Sequence, residues 1–148
     1  MQLHLEGSNA MNAPGPRVYS LLTDPNFVAG TLPDAEDVHV LDGSSLEAKI
    51  KLRIAVVSST LKMKMVIQRT APPNRATLVA EGTGSGSAMK ITSVFELSGE
   101  ASTTMRWSAD AEITGVMAGI GSTLLKGFAS KKVSEIFTGI TKAVEAAV

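Results

Sequence analysis

Between residues 46 and 111 the chain keeps returning to one pattern, an apolar side chain followed by a polar one. Leu46, Ala48, Ile50, Leu52 and Ile54 alternate with Glu47, Lys49, Lys51 and Arg53. Leu61, Met63, Met65 and Ile67 then alternate with Lys62, Lys64 and Gln68, and Leu78 and Ala80 belong to a further run. Met89, Ile91, Phe95 and Leu97 alternate with Lys90, Thr92 and Glu96; Met105, Trp107, Ala109 and Ala111 alternate with Arg106, Ser108, Asp110 and Glu112. Period two is the signature of a half-buried strand. Turn signals at Pro72-Pro73-Asn74 and Gly99-Glu100 separate the runs, which predicts an antiparallel meander with one apolar face. GTGSGS (82–87) reads as a flexible Gly-rich connection. Such a sheet must bury its apolar face under a second layer.

The flanks supply that layer. Leu3, Leu5 and Gly7 alternate with Gln2, His4 and Glu6 as a short first strand. Pro14 and Pro16 suit a first helical turn with Val18, Leu21 and Leu22 on its apolar face. Asp24-Pro25 starts a second short helix, Asp as cap and Pro at the first position, with Gly30 and Pro33 ending it. After Gly115 the period becomes helical: Val116, Ile120, Leu124 and Phe128 fall at steps of four, and Val133, Phe137, Ile140 and Val144 continue the stripe. The expected architecture is α+β: a curved antiparallel sheet wrapped around a long C-terminal helix, with two short helices after the first strand. It is read as a single domain over 1–148, since nothing in the middle resembles a linker.

Composition narrows the function classes. Lys and Arg together number 14, as do Asp and Glu, so the formal net charge is zero, which argues against a dedicated nucleic-acid binder. With 0 cysteines, disulfides and thiolate metal sites are excluded. MQLHLEG has no basic stretch ahead of an apolar run, so no secretory leader is expected. The apolar segment 115–128 falls short of the ~20 residues a membrane span needs. A cytoplasmic protein is expected, with at most a peripheral contact to the inner face of the membrane.

His4 and His39 sit on polar faces or near strand ends, and neither they nor the carboxylates fall at metal-ligand or acid–base spacing. Glu47, Glu96, Asp110 and Glu112 have outward parity. GTGSGS lacks the lysine of a phosphate loop and precedes a strand, where no helix N-terminus awaits a phosphate. No metal, cofactor or catalytic residue is therefore assigned. Met63, Met65, Met89, Met105 and Met117 all have inward parity. Either they are ordinary core, or they form an adaptable wall. Gly119, Gly121 and Ala118 on the covering helix would let it approach the sheet or leave space.

The order of elements and several local stretches resemble the CoxG family, whose members are accessory proteins of carbon monoxide dehydrogenase. The matching pieces are LLTDPNFVAGTLPDAEDV, the Asp42-Gly43 turn, APPNRATLVAEGTGSGSA and WSADAEITGVMAGIGSTLL, and the likeness runs over about residues 2 to 145. Its most specific parts are Asp24-Pro25, Leu32-Pro33, and Gly115 opening the terminal helix. Where many relatives read Leu-Pro-Gly this chain has Asp34, so a different turn is expected there. Some relatives carry a further tail that helps reach the membrane; none is expected after Val148. The family belongs to the helix-grip (SRPBCC) superfamily, with START domains and birch-pollen-allergen-like proteins. The resemblance implies a non-catalytic accessory role tied to membrane attachment of a molybdenum hydroxylase.

Inward parity and the resemblance together suggest a cavity for an apolar molecule, such as a lipid or an isoprenoid quinone. Its candidate walls on the sheet are Ile50, Leu52, Met63, Met65, Leu78, Met89, Ile91 and Met105; on the covering helix they are Val116, Met117, Ile120, Leu124 and Phe128. Arg69 and Trp107 are the inward residues able to donate to a ligand oxygen. With the turn between the second and third runs centred near Val57–Ser58, Leu52 faces Met63 and Ile50 faces Met65, while Arg53 opposes Lys62 and Lys51 opposes Lys64. The outward Lys49, Lys51, Arg53, Lys62 and Lys64 form either a solvated face or a docking surface for an acidic partner or anionic lipid. Two other readings stand beside the carrier: a cavity enzyme of the cyclase or hydratase type, and an assembly module with a filled core.

Overall fold

In the computed structural model, residues 1–32, 34–54 and 56–147 are described. The predicted helix stop at Pro33 lies outside them. The alternating runs become seven strands: β1 (Gln2–Met11), β2 (Ala35–Asp42), β3 (Ser45–Ile54), β4 (Val57–Ala71), β5 (Arg75–Gly84), β6 (Ser87–Ser98) and β7 (Thr103–Gly115). They form one antiparallel sheet in the order β1-β7-β6-β5-β4-β3-β2. Two short helices, α1 (Gly15–Leu22) and α2 (Pro25–Ala29), follow β1 as expected. Asp24 caps α2 by accepting the Asn26 amide at 2.9 Å, with Pro25 in the first turn.

The β3–β4 register differs from the expected one. Ile54 pairs with Val57, so Leu52 faces Ser59, Ile50 faces Leu61, Ala48 faces Met63 and Leu46 faces Met65. Alternation decides which face a side chain takes, but an even slip leaves every face unchanged; the turn decides the register. Arg53 consequently opposes Ser58 and Lys51 opposes Thr60, and the like-charged pair that does occur is Lys49 with Lys62. The Gly-rich 82–87 stretch is also mostly strand: only Ser85 and Gly86 form the turn. Gly82 is small because the Met63 thioether occupies the space where a Cβ would stand.

The C-terminal layer is not one helix from Gly115. A 3₁₀ turn covers Val116–Ile120, Gly121 breaks it, and α3 runs Ser122–Ala146. Gly115 and Gly121 have φ of 85° and 101°, conformations that interrupt a helix and favour glycine. This break resets the helical phase. The step-of-four stripe therefore fails at its start: Val116 and Leu124 are each 55% exposed, while Met117 and Leu125 are buried.

Within α3 only Leu125 and Val144 are buried, about 28 Å apart along the axis. At the C-terminal end, Val144 joins Met11, Val18, Tyr19, Phe95 and Met105 in a continuous core. Near the N-terminal end, Leu125 packs with Leu3, Ile54, Leu61, Ile113 and Met117. The helix is held at both ends, and the sheet curves away from its middle.

Candidate ligand cavity

Under the middle of α3 lies a cavity of about 250 Å³. Its floor is the inward face of β3, β4, β6 and β7, including Ile50, Leu52, Met63, Met65, Met89 and Ile91. Its roof is Met117, Leu125, Phe128, Ala129, Val133 and Ile136, so it reaches well past the 115–128 segment. Gly119 and Gly127 have nothing within 4 Å of a would-be Cβ; they leave space and do not serve a close helix–sheet approach.

Eight of the sequence-derived wall residues thus lie on this cavity: Ile50, Leu52, Met63, Met65, Met89, Ile91, Met117 and Phe128. The others are placed elsewhere. Leu78 and Met105 face inward but belong to the filled core around Phe95 and Val144. Ile120 packs against the Leu125 cluster, and Val116 and Leu124 point to solvent because of the phase reset at Gly121. Trp107 stacks on Phe137 at 4.7 Å and donates to Asn9 Oδ1 at 3.3 Å, so its indole N–H is already used. Arg69 is held at the edge of the sheet, donating to the Thr23 carbonyl at 2.7 Å, the Gly43 carbonyl at 3.0 Å and Ser44 Oγ at 2.9 Å. It ties α1 to the β2–β3 turn and does not reach the cavity.

The lining also includes residues whose inward parity is plain in the sequence but whose size matters only here. Ala48, Ala80, Ala109 and Ala111 stand on the floor where larger side chains would fill the space. Among the described lining residues, Asp34 and Lys132 alone carry polar side chains. Asp34 takes φ 59°, the left-handed conformation that glycine adopts most readily, so the departure from Leu-Pro-Gly keeps a glycine-like backbone and adds a carboxylate. That carboxylate accepts from the Lys132 ammonium, which also reaches Glu135 Oε2 at 3.2 Å. Asp34 holds the Lys132 pKa above its ordinary value, against burial and with help from Glu135. The pair joins the segment before β2 to α3 beside the apolar lining. One more polar group is buried nearby: the Ser59 hydroxyl, opposite Leu52, is the only buried side-chain polar atom without a partner among the described residues.

The histidines stand away from the cavity. His4 is exposed and lies between Asp110 at 2.6 Å and Glu6 at 3.2 Å, whose carboxylates raise its pKa. His39 is exposed on β2. The basic outer face is partly answered by the edge strand: Lys49 pairs with Asp37 at 3.3 Å and Lys51 with Glu36 at 3.0 Å. The acidic 24–44 stretch and the basic strand after it therefore neutralise each other across β2 and β3. No helix among the described residues is long and apolar enough to cross a membrane.

The sequence matches a known family over nearly all of this architecture. The family model for CoxG, a carbon monoxide dehydrogenase protein, matches residues 7–145. The chain belongs to the CoxG family. No curated protein matches the sequence. Among solved structures, a conserved protein from Geobacillus kaustophilus superposes with a TM-score of 0.86 at 22% identity, covering 98% of this chain and 97% of its own. A START superfamily protein from Mycobacterium smegmatis gives 0.74 at 14% identity, covering 98% and 99%. The Zhui aromatase/cyclase from Streptomyces sp. R1128 gives 0.69 at 13% identity, covering 98% and 94%. These likenesses place this CoxG-family chain in the helix-grip, START-like fold.

Proposed function

We propose that this CoxG-family protein holds an apolar molecule, a lipid or an isoprenoid quinone, in the cavity under α3. It would act as a non-catalytic accessory protein that supports membrane association of a molybdenum hydroxylase such as carbon monoxide dehydrogenase. The observation that carries the ligand reading is a cavity of about 250 Å³ whose described lining is apolar except for one ion pair. An empty apolar space of that size forgoes at most about 6 kcal/mol of packing, at about 24 cal/mol per Å³. That is a large fraction of a small domain's stability, and a resident apolar ligand would restore it. The cyclase neighbour shows that this fold hosts reactions in other proteins. Against an enzyme reading here, the lining offers no polar pair beyond Asp34 and Lys132 among the described residues.

The test is solvent extraction of the purified protein followed by mass spectrometry, on the natural chain and on Met65→Lys. A stoichiometric apolar compound in the former and its loss in the latter are expected. A blank extract from folded natural protein would move the function to an assembly module. Equal ligand content in both would remove the cavity from the account.

A further inference from the structure

Five large apolar side chains are exposed among the described residues, and the three most exposed are Val56 (94%), Val116 (55%) and Leu124 (55%). They share one end of the molecule. Val56 lies at the β3–β4 hairpin, where Ile54 pairs with Val57, and Ile54 is buried with Met117 and Leu125. Val116 follows β7 and donates its amide to the Gly86 carbonyl at 3.1 Å, in the β5–β6 turn. The neighbouring Ser85 Oγ accepts the Thr60 amide at 3.1 Å, which ties that turn back to β4. Leu124 sits in the first turn of α3, next to the buried Leu125.

The charges at this end have one sign. The chain has 14 carboxylate side chains, yet none lies between residues 48 and 80, 82 and 95, or 113 and 134. Those three stretches contain the hairpin, the β5–β6 turn, the 3₁₀ turn and the start of α3. The exposed Arg53 and Lys126 flank the apolar residues. At the opposite end Val40 (38%) and Leu41 (45%) are also exposed, but Asp37 and Asp42 accompany them on the same strand. Apolar side chains ringed only by cations suit the boundary between anionic headgroups and acyl chains.

We infer that this end docks on an anionic lipid bilayer, with Val56, Val116 and Leu124 entering the acyl boundary and Arg53 and Lys126 meeting headgroups. The inference deepens the membrane part of the proposed function and rests on it. Docking here would set the beginning of α3, and the roof residues that follow it, against the membrane from which an apolar ligand could come.

Co-sedimentation with vesicles of phosphatidylcholine alone, and of phosphatidylcholine mixed with phosphatidylglycerol, tests the surface. The natural protein is expected to bind the mixed vesicles more tightly, and added salt to weaken that binding. Val56→Asp with Leu124→Asp should weaken binding by about tenfold or more, as two apolar side chains leave the acyl boundary. Arg53→Glu with Lys126→Glu should weaken it by at least about fivefold for each cation removed. Leu41→Asp, at the opposite end, should leave binding unchanged. All substituted positions are exposed, and unchanged thermal unfolding checks that each variant folds.

Natural protein that ignores both vesicle types, or binding that survives the Asp pair, would overturn the docking surface. So would a dimer of the natural protein that the same pair splits, which would make the occupant a second copy. Extraction of ligand from the Val56→Asp, Leu124→Asp variant separates the two ideas. Retained ligand with lost vesicle binding supports docking and leaves the carrier reading standing, whereas a blank extract from natural protein that still binds vesicles sinks the carrier alone.

Discussion

Beneath the last turns of α3, Val144 is fully buried and packs with Met11, Val18, Phe95 and Met105. Beneath its middle turns, Phe128, Val133 and Ile136 border open space. The same helix covers the same sheet in both places, and what differs is the size of the residues that meet it. Tyr19, Phe95, Trp107 and Phe137 gather in or against the filled half, with Tyr19 and Phe95 edge to face at 6.2 Å. The hollow half has Phe128 as its single aromatic among the described residues and a floor studded with Ala48, Ala80, Ala109 and Ala111. A fold of this kind becomes a container where small residues occupy inward positions, and a solid core where aromatics do.

The widest expected difference between the halves comes from truncation. Met105→Ala removes a side chain that is 1% exposed in the filled half and should cost about 2–5 kcal/mol. Met89→Ala, whose side chain already borders the cavity, should fall below that range, because fewer packed neighbours are lost. Denaturant midpoints of the two variants measure this, and equal losses would break the distinction.

Enlargement should run the other way. Ala76, at 0% exposure, has no room to grow, and Ala76→Leu should cost about 1–3 kcal/mol through overpacking. Ala111→Leu grows into the cavity, so thermal unfolding should be unchanged or raised while extractable apolar ligand falls. A loss of stability equal to that of Ala76→Leu would mean the cavity closes up in solution.

The smallest effect concerns the polar pair at the cavity. Asp34→Asn should cost no more than about 1 kcal/mol, since the Asp34–Lys132 pair is partly exposed and screened. It should also let the Lys132 ammonium titrate lower, because the main cause of its raised pKa is gone. The sign follows from linkage: stability from the raised lysine pKa is present below the unfolded value and is lost as pH rises through the folded one. An NMR titration of Lys132 in both forms checks it, and an unmoved pKa would show that Asp34 is not its partner in solution.

Much of this architecture is legible in the chain because period two and period 3.6 leave direct marks. The meander, the two short helices with Asp24 and Pro25 at the second start, and the terminal helix can all be read that way. The inward methionines can be placed on a face for the same reason. Which of them meet a cavity cannot. Met65 and Met105 look alike in sequence, yet one lines the cavity and the other is solid core. The helix stripe fails at Val116 and Leu124 because two left-handed glycines reset its phase. Parity aims Arg69 and Trp107 at a ligand, but nearby carbonyls and Asn9 claim their donors first.

The sequence by itself determined the faces: which residues point toward the helix, which toward water, and that the two layers must meet. That follows from the fixed geometry of strands and helices, where spacing along the chain sets direction. Only the tertiary structure decided the contacts across those layers: the register of β3 on β4, the pairing of Asp34 with Lys132, and the hollow under the middle of α3. Registers can slip by two without changing faces, and a void arises from the summed volumes of side chains brought together from distant strands. Neither quantity is carried by any local stretch of the chain.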